Sequence, residues 1–195
     1  MKDFYEQFKT YRDDFINDLQ ALLKIPSVLT EFNPEKAHPF GYGIQEALEY
    51  MLNIANRDGF KTKNVDNYAG HIEFGEGEEI LGILCHLDVV PPGDGWKFPP
   101  FSATIDDGRI YARGALDDKG PTMVAYYALK MLVDLNVKFN KRVRIILGTD
   151  EESGWRGLNY YLNKEAMPDI GFAPDASFPL IYGEKGILNG TFSGK

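Results

Sequence analysis

The sequence predicts an α/β domain in which helices are layered on a central mixed sheet. Residues 80–85 form an apolar run with no charge and no turn former other than Gly82, which is typical of a short strand buried on both faces of a sheet. Further along the chain, predicted strands alternate with predicted helices. This order of elements is typical of layered α/β domains.

Two helices are predicted before the first strand. Aromatic and aliphatic residues recur every three or four positions from residue 3 to residue 24, and Pro26 follows them. This spacing predicts an amphipathic helix that ends before the proline. A second stretch with the same periodicity predicts a helix over residues 44–57, with Gly59 just beyond its end.

Two β-hairpins are predicted around the central run. Residues 61–65 and 69–74 are predicted strands on either side of the turn Asp66-Asn67. In the second of these strands His71 alternates with apolar residues, so we expect its side chain to face outward. Residues 104–111 contain an Asp-Gly turn and predict another hairpin.

The second half of the chain supplies the alternation of helices and strands. A long helix is predicted over residues 120–135 and is followed by a strand over residues 142–148. A short helix around residues 158–163 then precedes the last clear strand, at residues 170–173.

The composition excludes some classes of function. The chain has 195 residues and a net charge of −8, which makes nucleic acid and anionic membranes poor partners. No apolar run approaches the length of a membrane span, and the first residues lack the apolar core of a signal peptide. We therefore expect a cytoplasmic protein.

The single cysteine, Cys85, lies inside the apolar run, so no disulfide within the chain can form. A catalytic thiol would need an activating base, and the neighbouring His86 is better explained by another role. We therefore predict that Cys85 is a small core residue.

The first candidate site lies where the central strand ends. His86 and Asp88 follow the apolar run directly, and open α/β sheets bind ligands at the carboxyl ends of their strands. Alternation along an extended chain directs both side chains to the same side. This pair suits a metal site in which the imidazole binds the ion and the carboxylate orients the ring. A polar residue in an ordinary turn is the alternative.

Acidic residues occupy three further positions of this kind. Asp117 and Asp118 begin a predicted helix, Glu151 and Glu152 follow a predicted strand, and Asp175 follows the last one. Each alone could be a solvated turn residue. If the four loops converge at one edge of the sheet, their carboxylates repel one another, and a divalent cation is the usual resolution.

These segments resemble the cocatalytic zinc peptidases that include aminoacylase, carboxypeptidase G, succinyl-diaminopimelate desuccinylase and carnosinase. The resemblance is greatest to their bacterial dipeptidase branch, called PepV or Xaa-His dipeptidase. It runs through nearly the whole chain and depends on five segments in a fixed order, namely IPSV at 25–28, GILCHLDVVP at 82–91, GALDDKGP at 114–121, GTDEES at 148–153 and FAPDA at 172–176.

The resemblance implies a centre with two zinc ions. His86 and Asp175 would bind one zinc ion, Glu152 would bind the other, and Asp117 would bridge the two. The identity of the metal stays open among zinc, cobalt and manganese.

The resemblance also implies roles around the ions. Asp88 would orient the ring of His86, and Glu151 would be the general base. A cis peptide bond is expected between Asp117 and Asp118.

The implied activity is hydrolysis of dipeptides. Members of the family are more than twice as long, complete the second zinc site with a later histidine and carry a lid domain. We therefore expect residues 1–195 to be the amino-terminal part of the catalytic domain, without the lid. Such a chain should bind one zinc ion well and the second weakly, hydrolyse dipeptides poorly or not at all, and expose a sheet edge that favours self-association.

Two other functions stay open. An N-acyl amino acid deacylase of the same fold would share every motif above. A non-catalytic metal-binding or interaction module would not need the base, so Glu151 argues against it for the whole protein, while for the 195-residue chain alone it stays an alternative.

Overall fold

The fold is centred on a five-stranded mixed sheet. A computed structural model describes residues 4–177, 179–186, 188 and 190–194. The strands are β1 (Lys61–Val65), β2 (Ala69–Phe74), β3 (Ile80–His86), β6 (Arg142–Gly148) and β7 (Ile170–Phe172), in the spatial order β1-β2-β6-β3-β7. A separate two-stranded sheet contains β4 (Thr104–Asp106) and β5 (Arg109–Tyr111). The predicted α/β fold with a mixed central sheet is confirmed.

Five helices surround the sheet in the described part of the chain, namely α1 (Phe4–Lys9), α2 (Arg12–Leu23), α3 (Tyr42–Arg57), α4 (Lys119–Asp134) and α5 (Arg156–Leu162). The prediction of one continuous helix over residues 3–24 was wrong. A tight turn separates α1 from α2, in which the Thr10 N–H and hydroxyl both bond the Gln7 carbonyl. The predicted start at residue 3 lies outside the described residues.

The two predicted hairpins are confirmed. The turn between β1 and β2 places Asp66 and Asn67 at φ values of 52° and 63°. The turn between β4 and β5 places Asp107 and Gly108 at 48° and 70°. Two-residue hairpins favour these left-handed conformations because their twist matches that of the strands, and Asn, Asp and Gly adopt them at the lowest cost.

Strand β6 is buried on both faces, so it lies at the centre of the domain. Ile145 and Leu147 belong to the main core cluster, which α2, α3 and α4 also supply. The intervening Ile146 belongs to a second cluster on the opposite face, together with Tyr161 of α5. Alternate residues of a strand point to opposite faces, which explains how one apolar run contributes to both clusters.

The outward orientation predicted for His71 was wrong. Helix α5 covers this face of β2, so the residue is only 7% exposed. The His71 ring nitrogen Nδ1 lies 2.8 Å from the hydroxyl oxygen of Tyr161. Burial and the nearby positive charge of Arg144 lower the pKa of His71 to about 4, so the residue is a neutral core histidine at pH 7.

The strands meet where the candidate residues lie. Strand β3 pairs in parallel with both β6 and β7, and His86 is opposite Gly148 in the β3–β6 pair. The carboxyl ends of these three strands therefore lie at one edge of the sheet. The residues that follow each strand are brought together there. Among the helices of the described residues, none combines the length and apolarity needed to cross a membrane.

Candidate metal centre

His86 is held in one orientation at the end of β3. Its ring is buried, and Nδ1 lies 3.0 Å from the backbone carbonyl oxygen of Asp88. Because a carbonyl oxygen only accepts, Nδ1 carries the hydrogen in this contact. The other nitrogen, Nε2, therefore faces the edge of the sheet and can bind a metal through its lone pair.

Carboxylates from three other loops surround Nε2 of His86. The nearest oxygens are Asp117 Oδ1 at 3.0 Å, Asp175 Oδ2 at 3.5 Å and Glu151 Oε2 at 4.0 Å. The structure thus brings together all four acidic loops that the sequence singles out. Whether each residue has its predicted role stays a prediction.

Two sets of side chains at this edge can each hold a metal ion. His86, Glu151 and Asp175 form one set, and His86, Asp117 and Glu152 form the other; within each set the ligand atoms lie within 4.8 Å of one another. Both sets contain the buried imidazole, which distinguishes them from the acidic clusters common on protein surfaces. A nitrogen combined with several carboxylate oxygens suits zinc and similar divalent ions, so these residues fit a metal centre.

Asp88 has a second function beside its contact with His86. Its carboxylate accepts hydrogen bonds from the backbone N–H groups of Glu151 and Glu152, each at 3.1 Å. The carboxylate Oδ1 lies 3.5 Å from His86 Nδ1, farther than the Asp88 carbonyl. The residue therefore orients the ring mainly through its backbone, while its side chain fixes the loop that carries the two glutamates.

The charges of the site shift its pKa values. Burial lowers the pKa of His86, but contact with Asp88 and the neighbouring carboxylates outweigh it and raise the pKa to about 10. Burial and neighbouring negative charges raise the pKa of Glu151, Glu152 and Asp175. The raised pKa of His86, and the part of the acids' shifts that comes from their neighbours, reflect an excess of negative charge that a divalent cation would neutralise.

The Asp117-Asp118 peptide bond is cis, as expected. Asp118 turns inward, where its carboxylate accepts hydrogen bonds from the His86 backbone N–H at 3.1 Å and from the Thr122 hydroxyl at 3.2 Å. Burial raises its pKa to about 7. The acidic pattern alone pointed to both aspartates, and only the family resemblance singled out Asp117, which lies at the rim while Asp118 is buried beneath it.

The sequence analysis did not identify an ion pair that closes the loop of the two glutamates. The Arg156 guanidinium donates to both carboxylate oxygens of Asp150 at 2.7 Å. The Asp150 carbonyl accepts hydrogen bonds from the backbone N–H groups of Gly154 and Trp155. The loop from Asp150 to Arg156 is therefore closed on itself. The charge pair at positions 150 and 156 was a possible signal, although many surface pairs have the same spacing.

Cys85 is the core residue that the sequence predicts. It is 2% exposed and belongs to the main cluster. Burial raises the pKa of its thiol, so the thiolate needed for nucleophilic chemistry is disfavoured.

Comparison with known proteins identifies a peptidase family and similar bacterial proteins. A model of the peptidase family M20/M25/M40 matches residues 82–194. YtjP of Bacillus subtilis (strain 168), which is named as a candidate dipeptidase, is 56% identical over 180 residues. That match covers 92% of this chain and 39% of YtjP. The chain thus spans about two fifths of the length of this relative.

Two solved structures are similar in fold. Human carnosine dipeptidase 1 matches 89% of this chain and 41% of its own, with a TM-score of 0.76 and 23% identity. The M20 family metallo-carboxypeptidase Sso-CP2 of Sulfolobus solfataricus matches 83% of this chain and 37% of its own, with a TM-score of 0.67 and 32% identity.

Proposed function

Because the chain belongs to peptidase family M20/M25/M40, we propose that its protein is a metal-dependent dipeptidase. One observation carries the proposal. The Nε2 nitrogen of the buried His86 faces carboxylates from three separate loops, the nearest at 3.0 Å. The dipeptide substrate is inferred from relatives such as YtjP, which is named as a candidate dipeptidase.

We assign the metal ligands as the sequence predicts them. His86 and Asp175 would hold one zinc ion, Glu152 would hold a second, and Asp117 would be a ligand of both. The contact of 3.0 Å between His86 and Asp117 supports their action on the same ion. Cobalt and manganese accept the same donors and stay alternatives.

Glu151 is assigned as the general base. When bound, the two ions supply an activated water and stabilise negative charge on the scissile carbonyl. Glu151 accepts the proton of the attacking water and transfers it to the leaving amine. Its pKa is raised by burial and the adjacent carboxylates, which favours acceptance of a proton relative to an ordinary glutamate.

The extent of the matches supports a proposal about the whole protein. The chain corresponds to 39% of YtjP, and we assign it to the amino-terminal part of a catalytic domain whose remaining part and lid complete the second zinc site. We also propose that the protein acts in the cytoplasm.

Paired substitutions separate the base from the ligand. Glu151→Gln should leave the metal content of the chain unchanged, whereas Glu152→Gln should lower it. Only Glu152→Gln removes the negative charge of a proposed metal ligand. In the whole protein, Glu151→Gln should lower kcat by about 10²–10⁴-fold. Metal content is measured by mass spectrometry. Turnover is measured with free dipeptides as substrates. Glu78→Gln, on an exposed loop, is the control.

Two results would contradict the proposal. Loss of metal on Glu151→Gln with full retention on Glu152→Gln would reverse the two roles. A whole protein that hydrolyses N-acyl amino acids and not free dipeptides would be a deacylase of the same fold.

A further inference from the structure

Residues 22–28, which we call the anchor segment, contact both loops that carry the central ligands. They comprise the last two residues of α2 and the five residues after it. Within them, the Ser27 hydroxyl donates to the Leu87 carbonyl at 2.6 Å, and the Ser27 carbonyl accepts from the Val89 N–H at 3.0 Å. The anchor segment therefore holds the chain on both sides of Asp88.

The same segment holds the second loop through Lys119, two residues after Asp117. The Lys119 side chain is fully buried, and its Nζ donates to the carbonyl oxygens of Leu22 at 3.1 Å and Ile25 at 2.7 Å. The Lys119 Nζ thus lies at the carboxyl end of α2, where the helix dipole favours a positive charge. The contact joins the start of α4 to the end of α2.

The stability of the fold does not by itself explain this lysine. No carboxylate of the described residues forms an ion pair with Lys119, and burial lowers the pKa of its side chain to about 7, which shows that its charged form is disfavoured there. The two carbonyls that it contacts have other donors, since Leu22 accepts from the Ile25 N–H and Ile25 accepts from the Ser27 N–H. A neutral side chain of similar length would leave neither carbonyl without a partner.

Close packing transmits the position of Lys119 to the metal loop. Gly114 has a φ of +82°, and a Cβ there would lie 3.1 Å from Lys119 Cδ and 3.0 Å from Val89 Cγ1. A Cβ on Gly120 would lie 2.0 Å from the Ala115 carbonyl oxygen. The backbone before Asp117 therefore packs against the Lys119 stem and against Val89 of the His86 loop, and the backbone after Asp117 packs back onto Ala115 of the same loop.

We propose that the anchor segment is a positioning element that fixes the distance between His86 and Asp117, with Ser27 holding one loop and Lys119 the other. This inference rests on the proposed function, because the groups that it positions are the proposed metal ligands. Lys119 and Ser27 are positioning residues and contact no reacting atom.

The test uses Co²⁺ binding to the 195-residue chain, followed by its visible absorption. Lys119→Met keeps the apolar stem and removes the ammonium group, and Ser27→Ala removes one hydroxyl. Loss of a group that orients metal ligands typically weakens metal binding by about 10–100-fold, and we expect this increase in Kd for both variants. The absorption spectrum should also change, because the geometry around the ion changes.

Two control variants remove the same groups elsewhere. Lys164→Met removes a surface ion pair with Asp66, and Ser102→Ala removes a hydroxyl bond to the Pro99 carbonyl. Both should leave the Kd and the spectrum unchanged. Thermal unfolding of each variant distinguishes a displaced ligand from a damaged fold.

Each outcome decides the matter. A folded Lys119→Met or Ser27→Ala protein with unchanged Kd and spectrum overturns the positioning role. If Lys119→Met does not fold, the Ser27→Ala result alone decides. If the unsubstituted chain binds no Co²⁺, the proposed metal centre fails and the positioning role fails with it. If the unsubstituted chain binds Co²⁺ and both folded variants bind it with the same Kd and spectrum, the metal centre stands and the positioning role fails.

Discussion

Asp88 joins the loop of His86 to the loop of Glu151. Its Oδ1 accepts a hydrogen bond from the Glu151 backbone N–H at 3.1 Å, while its own carbonyl lies 3.0 Å from the His86 ring. A single residue therefore orients the proposed imidazole ligand and the proposed base. Groups of this kind affect the affinity of a metal site without touching the metal.

We expect Asp88→Asn to weaken metal binding and stability together. An asparagine offers one oxygen and one NH₂ group to the two backbone N–H donors of Glu151 and Glu152, so one donor loses its partner. The Kd for Co²⁺ should rise by about 10–100-fold. The free energy of unfolding should fall by about 1–3 kcal/mol, the cost of an unsatisfied buried donor. Titration with Co²⁺ and urea denaturation measure the two effects.

Asp106→Asn is the control, because the Asp106 carboxylate, in the hairpin of β4 and β5, accepts an exposed hydrogen bond from Lys97 away from the site. It should change neither quantity by a comparable amount. If Asp88→Asn matches this control in both measurements, the bridging carboxylate has no role in the site.

Metal binding should displace a proton from His86. The neighbouring carboxylates raise its pKa to about 10, so the imidazole is protonated at pH 7 and must lose a proton before Nε2 can bind an ion. The apparent affinity should therefore rise with pH between about 7 and 9, by up to tenfold per pH unit. Calorimetry in buffers of different ionisation enthalpy counts the released protons.

We expect about one proton to be released for each ion bound at His86. An affinity that is constant over this range, with no proton released, would exclude His86 as a ligand. His38→Ala is a suitable control for the histidine contribution and should leave the proton count unchanged.

His71 should make the fold sensitive to acid. Its pKa is lowered to about 4 by burial and Arg144, whereas an unfolded histidine has a pKa of about 6.5. The unfolded state therefore binds the proton more tightly, and stability falls as the pH falls from 6.5 through 4. The shift corresponds to a loss of about 3 kcal/mol.

The variant His71→Asn tests this contribution. Asparagine retains a group that can bond the Tyr161 hydroxyl and does not titrate. The difference in free energy of unfolding between the original protein and this variant should shrink by about 3 kcal/mol between pH 7 and pH 4, as measured by urea denaturation. A difference that does not change with pH would show that His71 does not carry the acid sensitivity.

The placement of the site could be predicted from the sequence because it follows from local signals. His86, Glu152 and Asp175 each lie just after an apolar run, and Asp117 lies just before a long amphipathic stretch. Parallel strands of one sheet bring such positions to the same edge. The hairpin turns are similarly local, since Asp, Asn and Gly determine them.

The residues that support the site could not be predicted in this way, because their partners are distant in sequence. Lys119 bonds carbonyls more than ninety positions earlier, and His71 is buried by Tyr161, ninety positions later. A period-two pattern shows which residues share a face of a strand. It does not show that a later helix covers that face.

The Asp150–Arg156 pair should determine how firmly the loop of Glu151 and Glu152 is held. The Asp150 side chain is fully buried, and the guanidinium bonds both of its oxygens. Replacing Arg156 with methionine leaves this carboxylate buried without its charged partner. Because Arg156 is itself 36% exposed, the loss should be smaller than for a fully buried pair. We expect the free energy of unfolding to fall by about 1–3 kcal/mol.

Metal binding separates the two consequences of this change. The Asp150 carboxylate also accepts from the Arg156 backbone N–H at 3.0 Å, and the methionine variant keeps that bond. The loop should therefore loosen without unfolding, and the Kd for Co²⁺ should rise while the ion still binds. Arg12→Met, which removes an exposed pair with Asp13, is the control. If Arg156→Met lowers stability and leaves the Kd unchanged, the pair stabilises the fold alone, and Asp88 is sufficient to hold the two glutamates in place.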